Sequence, residues 1–504
     1  MQPEGCENRA AHAAEAHQAI GRFLAESKAP ALLEPGESQM LLSPEAYEVA
    51  YDAGRLTIQV WDRHRTILRR VTRLLGERAG ELDLEIERFG KKTGTMKLLD
   101  TARPRTQMAT RRGERLAFRE AFRRSVARQF PGWKISDLST EPDLEHSLSP
   151  AYSRALVRKG PAAWAVLGAA PESLDVDGAL TFGLIWFNYV VAREPKLRIE
   201  GLSLFLPERR ERTTCLRVRH LEASRVRVQV FVYGEGTEQK VELADYSNLD
   251  TQLTTYTSQF STTDSPSDAL ICRIAGIPGA DTVECPDGSL SLRIRGMEFA
   301  RKKDGELRFG LETKTPAGTS NFEEVESLAR HLSAMRVPDA DRQGRLYTAH
   351  PELWLESQVR RSLAVIDASL LPRPVYGQVP AFAGGDRGVI DLLACDAAGR
   401  LVVIELKASA DVHLPLQALD YWMRVRWHAE RDEFAPRGYF PGVHLSRRSP
   451  RLLLVAPALE FHPATETILQ YFSSDVEVER VGVGIDWRRE LQAVFRLTGS
   501  ESRA

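Results

Sequence analysis

The chain has 504 residues, 27% charged, 43% hydrophobic and 8% aromatic, with a formal net charge of -1. That length accommodates about two to four domains, and the composition excludes the disordered and fibrous classes. The balanced charge leaves no whole-molecule field to steer a polyanion, so any nucleic-acid contact must come from local patches.

The N-terminal "MQPEGCENRAAHAAEAHQAIGRFLAESKAP" has no basic start followed by an apolar core, so no secretory signal is expected. It reads as a helical appendage ending at "KAPALLEPGES". "RLTIQVW" is predicted as a strand, "DRHRTILRRVTRLLGERAG" as a helix with Ile67, Val71 and Leu74 on one side, and "ELDLEIERF" as a strand of period two. "GKKTG" then turns into "TMKLLD". It lacks the spacing of a phosphate loop and sits between strands, so it reads as a hairpin turn. From Thr101 to Phe130 nine arginines face two glutamates. Leu116, Phe118, Phe122 and Val126 give this run a helix with one apolar face, the rest lined by arginine.

Further on, "SPAYSRALVRKG" is predicted helical, followed by the strands "AAWAVLGA", "LTFGLIWFNYVV", "LRIEGLSLFLP", "TTCLRVRHL" and "RVRVQVFVYG". The apolar run Leu180 to Ala192 is too short to span a bilayer, and no membrane insertion is expected. "TQLTTYTSQFSTTDSPSD" reads as a linker. A hairpin in "LSLRIRGMEFARKKDGELRFGLETK" and a helix in "NFEEVESLARHLSAMR" come next. "LRIRGMEF" echoes "LRIEGLSLF", but two copies without a period do not make a repeat.

After the break "VPDADRQGR" an α/β alternation is predicted: helix "HPELWLESQVRRSLAVI", strand "PVYGQVPAF", strand "GVIDLLAC", turn "DAAG", strand "RLVVIELKA", helix "LPLQALDYWMRVRWHAER", strand "RLLLVAP", helix "HPATETILQYF" and strand "VEVERVGVGIDW". The domains expected are residues 1–39, 40–250, 251–337 and 338–504. Cys6, Cys215, Cys272, Cys285 and Cys395 are odd in number and scattered. They form neither a disulfide framework nor a zinc site, and a cytoplasmic setting is expected.

Two strands joined by "DAAG" put Asp391 across from Glu405, with Lys407 on the Glu405 face. Like charges so close repel unless a proton or cation lies between them. A hard divalent ion that takes one or two carboxylates and keeps waters is the simplest resolution.

This segment resembles the PD-(D/E)XK nucleases, in particular their RecB-like and NucS-like branches, over roughly residues 345 to 490. The resemblance rests on Asp391, on Glu405-Leu406-Lys407, on the helical acid Glu356 and on Gln417 and Tyr421, which stand at Gln-x-x-x-Tyr spacing. Ile390 departs from the family's proline. The resemblance implies a restriction-endonuclease-like mixed sheet flanked by helices, after an α+β and β-rich N-terminal part. It further implies Mg²⁺ or Mn²⁺ held by Glu356, Asp391 and Glu405, with Lys407 assisting the attacking water and Gln417 and Tyr421 supporting the site.

A metal-dependent nuclease acting on DNA ahead of RNA, in repair or in defence against foreign DNA, is therefore expected, with a homodimer admissible. The alternative is a nucleic-acid-binding or assembly protein that uses the same fold without cleaving. Arg111, Arg112, Arg115, Arg119 and Arg123 are the candidate phosphate contacts, set against a solvated helix face.

Overall fold

Every element follows from where its apolar residues can be buried. The computed structural model describes the chain apart from residues 1–3, 35–39, 44–45, 62–65, 79, 89–91, 103, 172, 174, 234–237, 257–264, 341–343, 384–385 and 500–504. Side chains are also left out for 4–10, 61, 66, 88, 92, 104–112, 380–383 and 386–388. Contacts divide the chain into two units: Met1–Ala179, Val190–Glu208 and Phe231–Gln239 form one, and Leu180–Tyr189, Arg209–Val230 and Lys240–Ala504 the other. The domain bounds read from sequence, at 39, 250 and 337, do not coincide with this division.

In the first unit, helix α1 (Glu4–Glu26) packs on a sheet of seven strands. These are β1 (Pro30–Leu33), β2 (Met40–Leu41), β3 (Tyr47–Asp52), β4 (Arg55–Trp61), β5 (Thr66–Arg78), β6 (Glu81–Arg88) and β7 (Lys92–Asp100), ordered β2-β1-β7-β6-β5-β4-β3. Alternation along β4 and β6 buries Leu56, Ile58, Leu82 and Leu84 against Ala16, Ala19, Ile20 and Phe23 of α1. The N-terminal helix is thus part of a core and not an appendage.

Helix α2 (Pro104–Gln129) precedes a second sheet of β8 (Lys134–Ser139), β9 (Tyr152–Lys159), β10 (Ala162–Ala169), β11 (Arg198–Pro207), β12 (Val228–Tyr233) and β13 (Glu238–Lys240), ordered β13-β12-β11-β10-β9-β8. Strands β10 and β11 are parallel, so they need a crossover, supplied by α3 (Ala179–Arg193). Helix α4 (Arg212–Val218) joins β11 to β12.

The second unit carries two further sheets. Strand β14 (Thr251–Leu253) and helix α5 (Pro266–Ala275) lead into a five-stranded meander, β15 (Ala280–Glu284), β16 (Leu290–Ile294), β17 (Met297–Lys303), β18 (Glu306–Phe309) and β19 (Thr315–Ala317). Helices α5 and α6 (Phe322–Met335) cover it through Leu270, Ile274, Val325 and Leu332. Helices α7 (Arg345–Thr348), α8 (Pro351–Arg361) and α9 (Leu363–Ile366) follow.

The last sheet contains β20 (Tyr376–Ala383), β21 (Asp386–Cys395), β22 (Leu401–Leu406), then, after α10 (Leu414–Glu430), β23 (Arg451–Pro457), and, after α11 (Ala464–Leu469), β24 (Val478–Val483) and β25 (Ala493–Thr498). Its order is β14-β20-β21-β22-β23-β24-β25. The ladder is antiparallel from β14 to β22, parallel through β22-β23-β24, and antiparallel again at β25. The chain is therefore mixed α/β, as expected. Among the described residues no helix is long and apolar enough to cross a membrane.

Several elements correct the sequence reading. Residues 66–78 form a strand, not a helix. The β5–β6 register shifts between Val71 and Arg73 and again between Leu74 and Gly76, so irregular pairing breaks the two-residue alternation and mimics a helical period. Strand β9 replaces a predicted helix because six consecutive residues from Tyr152 are buried. A strand covered on both faces shows no alternation. The apolar run at 180–192 is helix α3, buried at Leu180, Leu184, Trp186 and Val190. An all-round apolar helix and a buried strand share a composition. Residues 212–218 are likewise helical, with Cys215, Leu216 and Val218 buried.

Thr251–Leu253, read as linker, is an edge strand paired to Ala381–Ala383. The echo between "LRIEGLSLF" and "LRIRGMEF" has no structural counterpart, since the first lies in the single strand β11 and the second turns from β16 into β17.

Candidate active site

The site is built on the β21–β22 hairpin. Asp396 closes its turn by accepting from the Ala398 and Arg400 amides, both at 2.9 Å, while Gly399 takes φ +81°, a conformation open to glycine. A side chain there would also meet the His444 carbonyl at 2.1 Å. The turn sets the register Leu392↔Ile404 and Leu393↔Val403, so the next pair along is Asp391 and Glu405. The sequence expectation of two carboxylates across one ladder matches this register.

Asp391 is half-buried and Glu405 buried. Glu405 is 2% exposed, and its Oε2 has no hydrogen-bond partner among the described residues. Asp391 Oδ2 accepts from the Leu406 amide at 2.9 Å. Burial pushes the Asp391 carboxyl up to about 7, against the Leu406 amide and with the help of Glu356 and Glu352. Burial and then Asp391 push Glu405 well above its ordinary value, with Lys407 opposing. Lys407 Nζ stands 3.8 Å from Glu405 Oε1 and 3.7 Å from Asp411. Burial works against its charge, but Glu405, Glu352, Asp411 and Asp391 outweigh that and raise its pKa.

Helix α10 supplies the predicted pair one turn apart. Gln417 Nε2 donates to the Tyr421 hydroxyl at 3.2 Å. Burial, followed by the charges of Glu405 and Asp391, raises the Tyr421 pKa. Tyr421 is therefore close enough to both carboxylates to feel them.

The helix acid Glu356 is arranged differently. Helix α8 packs Trp354, Leu355 and Val359 against Leu392, Ala394, Ile404 and Leu406, one residue out of step with Glu405 along β22. Glu356, 1% exposed, meets Arg293 at 3.4 Å, Arg360 at 3.5 Å and the Gln378 amide at 3.4 Å. Burial raises its carboxyl nonetheless, against Arg293 and Arg360. The expected shell of Glu356, Asp391 and Glu405 is not gathered, since two arginines hold the first. Among the described residues no group of three or more His, Cys, Asp or Glu side chains forms a metal cluster.

One turn earlier on α8, Glu352 is the acid whose charge acts on Asp391, Glu405 and Lys407 together. Sequence reasoning missed it, although its four-residue spacing from Glu356 was visible. Gln378 was also missed. At φ +54° it interrupts the ladder between Gly377↔Leu392 and Val379↔Ile390, opposite Asp391.

The donor set still fits a hard divalent cation. Among the described residues, the two carboxyls have one orphaned buried oxygen and Lys407 as their cationic neighbour. Mg²⁺ accepts such a pair, filling its remaining positions with water and phosphate oxygen.

The arginine helix belongs to the other unit. Phe122 and Val126 of α2 join a cluster with Ala155, Val166, Phe205 and Phe231, as their spacing predicts. Arg119 and Arg123 both pair with Glu120, at 3.4 and 3.0 Å, and Arg128 pairs with Glu238. Arg115 is half-buried, and the side chains of Arg111 and Arg112 lie outside the described residues. No protein-family model and no curated protein matches this chain.

Proposed function

We propose that the chain is a metal-dependent nuclease whose C-terminal sheet has the restriction-endonuclease-like arrangement, acting on DNA ahead of RNA. The observation that carries this reading is the pair of buried Glu405 and half-buried Asp391, with Lys407 as its cationic neighbour among the described residues. Asp391 and Glu405 would hold Mg²⁺ or Mn²⁺, which would supply positive charge for a phosphodiester in the scissile position. Lys407, held as an ammonium, is suited to donating hydrogen bonds and not to accepting a proton. It orients the attacking water and balances charge on the phosphate. Tyr421, braced by Gln417, lies close enough to Glu405 to feel its charge and would support the site. Glu352 adds negative potential to the pair, which would favour a cation there. Arg111, Arg112, Arg115, Arg119 and Arg123 on α2 are proposed to track phosphates, with Arg119 and Arg123 exchanging Glu120 for them.

A second reading is a non-cleaving nucleic-acid platform, favoured by the capture of Glu356 by Arg293 and Arg360. One experiment separates them: incubation with single-stranded, duplex, mismatched and branched DNA and RNA under Mg²⁺ or Mn²⁺, with cation binding followed by calorimetry. The nuclease reading expects cuts and binding heat that both vanish in Asp391→Ala, and Lys407→Ala that retains DNA affinity while cutting is lost. Absence of both cutting and cation binding in the intact protein leaves the platform reading standing.

A further inference from the structure

The meander β15–β19 is covered by α5 and α6 on one side, yet several of its groups reach α8, the helix that carries Glu352 and Glu356. Arg293 on β16, 6% exposed, extends to Glu356 and is itself held by Ser291 Oγ at 2.9 Å, which donates to Glu298 at 2.6 Å. Asp281 on β15 pairs with Arg360 and accepts from Ser357 at 3.4 Å, both one turn or less from Glu356. The β16–β17 turn is seated on the helix backbone. At Gly296, φ +81°, a side-chain carbon would lie 1.9 Å from the Leu353 carbonyl, so the two backbones touch and no other residue fits. Arg336, after α6, closes the joint by donating to the carbonyls of Leu346, Ala349 and Arg295 and stacking over Trp354.

On the far side, Glu356 accepts from Gln378, the residue opposite Asp391. Gly377 beside it is packed just as closely, since a methyl group there would lie 2.8 Å from Glu356 Oε1. A continuous chain of polar contacts therefore runs from the meander through Glu356 to the strand position facing Asp391.

We infer that Arg293 is a positioning residue of the nuclease site, supplied by the meander and acting through Glu356 to hold α8, and with it Glu352, in register with Asp391 and Glu405. This rests on the nuclease reading. A buried carboxylate that loses its guanidinium is left without its partner and moves, which shifts α8 and the Gln378 amide that donates to it. Groups one step removed from a metal or reacting atom typically alter affinity or rate by about 10- to 100-fold.

The test is a double-mutant cycle on the full chain with Arg293→Met, Glu356→Gln and the pair, read in kcat, KM for DNA and Mn²⁺ affinity by electron paramagnetic resonance, with unfolding midpoints as a control. Each single change is expected to lower kcat and weaken Mn²⁺ binding by about 10- to 100-fold with little change in KM. The pair should be no worse than the poorer single variant, and Arg293→Lys should recover part of the loss. Losses that multiply in the pair, a loss confined to KM, or an Arg293→Met variant as active as the parent would overturn the inference while leaving the nuclease reading intact. A parent chain that neither cuts nor binds Mn²⁺ would remove both.

Discussion

Two of the places where carboxylates gather among the described residues differ in the cations around them. On β6, Glu81, Asp83, Glu85 and Glu87 alternate outward from the apolar residues packed against α1. Each has a cationic neighbour on an adjacent strand: Lys97 serves Glu81 and Asp83, Arg73 lies 3.1 Å from Glu85, and Arg70 lies 3.3 Å from Glu87. These pairs are half-exposed. On the β21–β22 hairpin, buried Glu405 and half-buried Asp391 have Lys407 as their cationic neighbour among the described residues, 3.8 Å from Glu405 and shared with Asp411. The same strand chemistry gives a neutralised surface mesh in one sheet and an unbalanced pair in the other. What separates a binding site from an ordinary charged sheet face is thus the combination of burial with a shortage of counter-charge.

Neutralising one member of each set should break the comparison most sharply. Glu405→Gln is expected to reduce cleavage by about 10³-fold or more while leaving the unfolding midpoint of the metal-free protein nearly unchanged, because a carboxyl whose raised pKa favours its neutral form is replaced by a neutral amide of the same shape. A lower metal-free midpoint would mean that the pair is already compensated.

The pH dependence should be nearly as distinctive. The folded-state pKa of Asp391 lies at about 7, above the value near 4 of an unfolded chain. Between those values the folded state binds more protons than the unfolded one, so stability contributed by the protonated carboxyl is full below about pH 4 and is lost as pH rises through about 7. In chelator the midpoint should fall across this window, and saturating Mn²⁺ should flatten or reverse the slope. Identical slopes with and without the cation would argue against binding at Asp391.

On the other sheet, Glu81→Gln should shift stability by no more than about 0.5 kcal/mol, as for exposed pairs in general, with cleavage unchanged. A larger effect in denaturant titrations would show that the mesh is a structural network.

The legibility of the sequence divides along the same line. The hairpin could be read because its turn residues, its alternation and its three charges all act within a score of residues, so register follows from local rules. Gln417 and Tyr421 were legible for the same reason, being one helical turn apart. Strand β5 was not, because irregular pairing with β6 disguised its period, and α3 and β9 were not, because burial on every side erases the pattern that distinguishes helix from strand. Arg360 stands four residues after Glu356 on the same helix, but Arg293 and Asp281 carry no local sign at all. Their role around Glu356 arises from packing between a meander and a helix about 60 residues apart in sequence, which only the tertiary structure reveals.

Strand β14 sets a limit on how this chain can be divided. Thr251–Leu253 forms the outer edge of the sheet that carries Asp391 and Glu405, and Tyr256 just beyond it donates its amide to the Arg437 carbonyl at 2.8 Å. A fragment begun at the polar break near residue 338 would lose both, baring the backbone donors and acceptors of β20 along an open edge. Such an edge recruits foreign strands, so the excised C-terminal piece should self-associate, and a soluble fragment carrying Asp391 and Glu405 has to begin upstream of Thr251.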